Sequence, residues 1–142
     1  MRALRQLLTN VGILRKARRN RTDLLQALTR RPQLLVGTAW YEIAIALSAR
    51  VEPRLKLLAE LKVAAIVACE YCLDIGSALA HNEGLTEAQL RALPHYRSSD
   101  AFDRRERLVL ELAEAVTRSP AKVPGELRQR LQAEFSPHSS PS

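Results

Sequence analysis

The run Leu55 to Ala68 (LKLLAELKVAAIVA) is apolar on nearly every side toward its end. A helix of that character has to be the inside of something. Pro53 stands just before it, where a first-turn proline belongs, so a central core helix is expected from Arg54 to about Ala68. The chain's two cysteines, Cys69 and Cys72, follow at once. Leu and Ala dominate the composition, aromatic residues make up only 4%, and there are five glycines. Those proportions suit helices and exclude a sandwich or a barrel.

Other segments repeat the helical pattern. Leu4, Leu7, Leu8, Val11 and Leu14 form one stripe at intervals of three and four. Thr22 or Asp23 caps a short helix, Leu24 to Thr29, and Pro32 opens a long apolar helix to about Ser48. The cysteine pair leads a helix through Ile75, Leu79 and Ala80 that ends at Gly84. Thr86 with Gln89 three later reads as a capping box, and Pro94 to Asp100 as a connector. Asp100 or Asp103 starts a helix with Leu108, Leu112, Ala115 and Val116 as its buried stripe. Val123 to Phe135 is one more, with Leu127 and Leu131 inward. No alternating strand pattern of useful length occurs. The expectation is an all-α, single-domain helical bundle over 32–135, with a basic helical leader at 1–31 and a disordered tail at 136–142.

The net charge of +7 is concentrated in that leader. Residues 1–31 hold nine Arg or Lys against the single acid Asp23, whereas the rest carries thirteen basic and fourteen acidic groups. Such a leader could touch nucleic acid, an anionic membrane surface or an acidic partner. The plainer reading, a solvated helix, is preferred, and no nucleic-acid partner is expected. MRALRQLL lacks the apolar core of a secretory signal, and Leu34 to Ala49 is too short to span a bilayer. A cytoplasmic protein is therefore expected, where a Cys pair is more often catalytic or metal-binding than structural.

Residues i and i+3 of a helix share a face, with Cβ atoms about 5–6 Å apart. A small adjustment brings them to the roughly 3.5–4.5 Å of a disulfide. Cys69 and Cys72 can thus close and open without refolding the chain, as a cycling dithiol must. So short a loop constrains the unfolded chain little, which argues against a structural staple. Thiolates at a helix N-terminus are stabilised by free N–H groups, whereas Glu70 and Asp74 nearby oppose ionisation.

The segment LKLLAELKVAAIVACEYCLDIGSALAHNEGLTEAQLRAL resembles the core of the alkylhydroperoxidase D and carboxymuconolactone decarboxylase family. The likeness rests on the apolar helix, the C-x-Y-C pair, the Ala-rich helix and the G-L-T-x-x-Q turn. It covers roughly residues 30–134 and is strongest over 54–93. The resemblance implies a small, all-helical homo-oligomer that reduces hydroperoxides without metal or flavin of its own. Electrons would come from a dithiol protein, lipoyl- or thioredoxin-like. Cys72 would be peroxidatic and Cys69 resolving. The family's peroxidases carry a histidine four after the second cysteine, and Gly76 stands there. They carry a glutamate twelve before the first, and Leu57 stands there. The pattern C-x-x-C-x-D-I-G therefore resembles a divergent branch, and slow or partner-dependent activity is expected. Members usually continue with a further amphipathic helix after the region of Phe135, so a weaker or lower-order oligomer is expected here.

Glu60, nine before Cys69, is the candidate replacement for the missing base, since burial in an apolar helix would raise its pKa. A solvated or ion-paired Glu60 beside Lys56 is the equal alternative. Asp74 and His81 lie about 200° and 180° around an ideal helix from Cys72 and are set aside. Tyr71 is expected to pack, and His95 and His138 carry no evident role. A zinc site would need two more ligands at usual spacing, and His81 and His95 do not supply it. A non-enzymatic helical module with packed cysteines is the competing reading. The lactone-decarboxylating branch works without a cysteine pair and is the least favoured.

Overall fold

A computed structural model describes residues 28–48 and 51–136, and every regular element within them is helical. In chain order these are α1 (Pro32–Leu47), α2 (Pro53–Ile66), α3 (Glu70–Ala80), α4 (Glu87–Ala92), a 3₁₀ turn (Leu93–His95), α5 (Arg104–Thr117) and α6 (Gly125–Phe135). The expected stripe at 4–14, the start of the segment from Leu24, His138 and the tail from 137 lie outside the described residues. No helix among the described residues is long and apolar enough to cross a membrane.

α2 is the hub. It packs on α5 along one side and α3 along another, and α5 in turn carries α6. Leu57, Leu58 and Leu61 of α2 meet Ala80, Leu85, Leu93, Tyr96, Phe102 and Leu110 in one core. Pro32 and Pro53 open α1 and α2, as the missing proline N–H favours.

α2 and α5 are also pinned by polar groups at two levels. Arg54 donates to Glu106 at 2.7 and 2.9 Å, and Gln89 Nε2 donates to both Glu106 oxygens at 3.2 Å. Two turns on, the buried Lys62 ammonium lies 4.7 Å from the Tyr96 ring centroid, and Tyr96 donates to Glu114 at 2.7 Å. Burial lowers the Lys62 pKa, and burial followed by the Glu114 hydrogen bond raises that of Tyr96. Arg54 faces Glu106 and Lys62 lies toward Glu114, so the two helices run side by side in the same direction.

The starts expected at Thr86 and at Asp100 or Asp103 are present as capping boxes. Thr86 and Gln89 form a reciprocal capping box, and so do Asp103 and Glu106, which places the α5 start at Asp103. The α5 stripe differs from expectation. Glu106, Leu108, Leu110 and Ala113 are buried, Leu112 and Ala115 are half-buried, and Val116 is exposed. α5 is covered by α2 on one side and α6 on another, so its contact surface is broader than one apolar stripe. In α6, Leu127 is buried and Leu131 half-buried.

α1 is the exception to the core. None of its residues is buried, and Trp40 is 74% exposed. Lys56 ties its C-terminus to α2 by donating to the carbonyls of Ile45 and Ser48.

Candidate functional site

The cysteines do not lie inside a continuous helix. α2 stops at Ile66, and Ala68 adopts φ +54°. The Cys69 N–H then reaches back to the Ala64 carbonyl at 2.9 Å, the six-to-one bond of a Schellman turn. Glycine normally takes that left-handed position, and an alanine there costs about 1–2 kcal/mol. The same closure recurs after α3, where Leu85 N–H bonds Ala80 at 2.8 Å and Gly84 holds φ +79°.

The break makes Cys69 the N-cap of α3. Its sulfur accepts a hydrogen bond from the Cys72 amide at 3.3 Å. The two residues are joined as a disulfide, with Cα atoms 5.3 Å apart. Cys69 is half-buried and Cys72 exposed. When the pair is reduced, the same amide stands ready to stabilise a Cys69 thiolate at the positive end of the helix.

The two departures at Leu57 and Gly76 prove to be neighbours. A Cβ built on Gly76 would lie 3.7 Å from Leu57 Cδ1 and 2.6 Å from Leu61 Cδ2. Leu57 and Leu61 are both buried. The positions that carry a glutamate and a histidine in the resembling peroxidases are filled here by one apolar contact between α2 and α3. No larger side chain enters at 76 without displacing Leu61. Gly76→His is expected to cost about 1–3 kcal/mol through overpacking. Urea unfolding checks this, and combination with Leu61→Ala should be less destabilising than the two single changes added together.

Glu60 is exposed as a residue, but its carboxyl is partly withdrawn from water. Its carboxyl is held above the ordinary 4.5, first by burial, then by the charge of Glu42 on α1, with Lys56 opposing. The groups that act on it thus come from α1 and from one turn earlier in α2, whereas α3 packs on Leu57 and Leu61. His81 is exposed and pairs with Glu87 at 3.0 Å. Asp74 is exposed and Tyr71 half-buried. Among the described residues no cluster of three or more His, Cys, Asp or Glu converges to hold a metal. A cleft of about 250 Å³ lined by Arg97, Glu114, Arg118, Lys122 and Leu127 does not include the sulfurs, which sit at the surface.

Sequence reasoning placed the pair at a helix start or junction. It missed the Cys69 cap and the contact between positions 57 and 76. The signals were present: a residue three before an amide it can cap, and a glycine facing two leucines.

Two curated proteins resemble part of the chain in sequence. The chain is 36% identical over 84 residues to the uncharacterized protein YnjA of Escherichia coli (strain K12), covering 59% of this chain and 46% of that protein. It is 30% identical over 79 residues to the uncharacterized protein YdfG of Bacillus subtilis (strain 168), covering 55% and 54%. The chain thus spans about half the length of the curated relatives it matches. No solved structure matches significantly. Residues 32–115 match the carboxymuconolactone decarboxylase family, a stretch running from the start of α1 through most of α5 and containing the cysteine pair. By that match and the all-helical frame around it, the chain belongs to the carboxymuconolactone decarboxylase family.

Proposed function

We propose that the chain reduces hydroperoxides through a Cys69–Cys72 dithiol–disulfide cycle and is itself re-reduced by a dithiol protein. The observation that carries the reading is the placement of both sulfurs in the first turn of α3, Cys72 exposed and Cys69 capping.

In the cycle, the Cys72 thiolate attacks the terminal peroxide oxygen. The O–O bond breaks, the alcohol leaves with a proton, and Cys72 becomes a sulfenic acid. The Cys69 thiolate then attacks Cys72 Sγ, the S–O bond breaks and water leaves with a second proton. The disulfide that forms is the state seen in the structure. Two electrons from an external dithiol reopen it. The cap favours the step that Cys69 performs, because an amide hydrogen bond to that sulfur favours its thiolate over its thiol one turn from its target. Neither position 57 nor 76 offers a base, and losing one costs roughly 10²–10⁴ in rate. Slow turnover is therefore expected. The cycle as written uses the two thiols alone and assigns no step to Glu60.

The test is consumption of an organic hydroperoxide with dihydrolipoamide as reductant. Protein-dependent turnover above the dithiol blank, abolished by prior alkylation, is the expected result. No protein-dependent consumption would leave the pair as a packed feature of a helical interaction module.

A further inference from the structure

The cleft of about 250 Å³ beside the turn between α5 and α6 is built from two kinds of side chain. Ala115, Pro120, Pro124 and Leu127 give it apolar walls, and Arg97, Arg118 and Lys122 bring cations to it. Two acids, Glu111 and Glu114, also line it. The charge they leave over decides what the cleft can hold.

Glu111 is committed elsewhere, since Arg130 donates to both its oxygens at 2.9 Å. Glu114 is shared. It accepts from Tyr96 at 2.7 Å, from Arg97 at 3.0 Å and from Arg118. Its side chain is 15% exposed, against 61% and 69% for Arg97 and Arg118, so one sunken carboxylate holds two exposed guanidiniums side by side. Each gives it a hydrogen from one Nη and keeps the rest of its fork for another acceptor. Among the described residues Lys122 pairs with no carboxylate. Behind the wall, the buried Lys62 ammonium has the Leu93 carbonyl at 3.4 Å as its hydrogen-bond acceptor and lies 4.7 Å from the Tyr96 ring centroid. The Arg97 guanidinium stands 5.1 Å from the same centroid. Arg97, Arg118, Lys122 and Lys62 thus surround the cleft with only Glu114 to balance them. The C-terminus of α5 and the N-terminus of α6 meet there with opposite dipole signs and add little.

We propose that this cleft binds a small organic carboxylate, its anionic end on Arg97, Arg118 and Lys122 and its apolar body against Pro120, Pro124 and Leu127. This goes beyond the redox reading and is independent of the sulfur chemistry. Surplus positive charge calls for an anion, and planar guanidinium forks match a carboxylate. Inorganic phosphate matches the forks too, but it leaves the apolar walls in water. Size limits the body of the ligand. A cavity of ~150 Å³ holds benzene, and drug-sized sites run to ~300–1,000 Å³. The volume here lies between the two and suits an acid of roughly eight to ten non-hydrogen atoms, such as hexanoate.

The experiment follows amide shifts of the isotope-labelled full chain on addition of hexanoate, with hexanol and inorganic phosphate as comparison probes. Hexanoate should move the amides of Ala115, Lys122 and Leu127 and saturate with a Kd on the order of 1 mM, as a small and open site allows. Hexanol should bind at least about tenfold more weakly, because it offers the cations no charge. Lys122→Glu and Arg118→Met, both at exposed positions, should each weaken hexanoate by about tenfold and leave the urea midpoint little changed. Absence of saturation at concentrations on the order of tens of millimolar would overturn the proposal, and so would equal binding of hexanol. Phosphate bound as tightly as hexanoate would show a bare anion site and contradict the organic ligand. Hexanoate binding indifferent to both substitutions would place the ligand elsewhere and overturn the assignment of the cleft.

Discussion

Glu106→Ala is expected to lower the unfolding free energy by about 2–4 kcal/mol. Glu106 is 3% exposed, and one carboxylate serves three elements. Arg54 of α2 donates to it twice, Gln89 of α4 twice, and the Asp103 amide at the start of its own helix once, at 2.9 Å. Removing it takes partners from the guanidinium and an N-cap N–H and leaves the Gln89 amide only the Ala101 carbonyl, at 3.0 Å. The expected loss sits below the ~3–5 kcal/mol of a fully buried pair because the Arg54 side chain is 32% exposed and reaches water. Gln89 Oε1 at 3.0 Å and the Gly84 carbonyl also keep some of its hydrogens. Glu106→Gln retains the size and part of the bonding and should lose about half as much. Urea denaturation of the three proteins checks the order, with Glu106→Gln falling between the other two.

Cys72→Ser is expected to abolish hydroperoxide turnover altogether, since the exposed sulfur is the one a peroxide can reach. Cys69→Ser should behave differently. It should consume one equivalent of peroxide and stall as a Cys72 sulfenate, because the resolving thiol is gone. Neither substitution should alter the fold much, as a serine oxygen at 69 can still accept the Cys72 amide. Stopped-flow consumption with the pre-reduced proteins separates the two fates. Equal loss of the first equivalent in both variants would contradict the assigned roles.

Much of this architecture is legible from local chemistry. Pro32 and Pro53 mark first turns, Thr86 and Gln89 spell out a capping box, and Gly84 stands at a left-handed turn. The features that were not legible depend on long-range packing. The core helix is expected to end at about Ala68, but Ala68 is a good helix former and nothing beside it announces the left-handed turn that ends it. The break is set by the Cys69–Ala64 closure and by α3 seating Gly76 against Leu61. Hydrophobicity argues that α1 is buried, yet no surface of the described chain covers it. Glu106 sits in the run Arg104-Arg105-Glu106-Arg107, which reads as solvated surface. Its capping position relative to Asp103 was the one local sign that it turns inward. The cysteine pair was visible at once. That its flanking positions 57 and 76 touch, and touch as leucine and glycine, required the fold.

The central claim is that Cys69 and Cys72 form a working dithiol, and intact mass of the pre-reduced protein after one equivalent of an organic hydroperoxide tests it most directly. The expected result is loss of the mass of two hydrogen atoms within minutes, with a trapped sulfenate or its adduct appearing only in Cys69→Ser. An unchanged mass over that time would contradict the account and return the pair to a packing role.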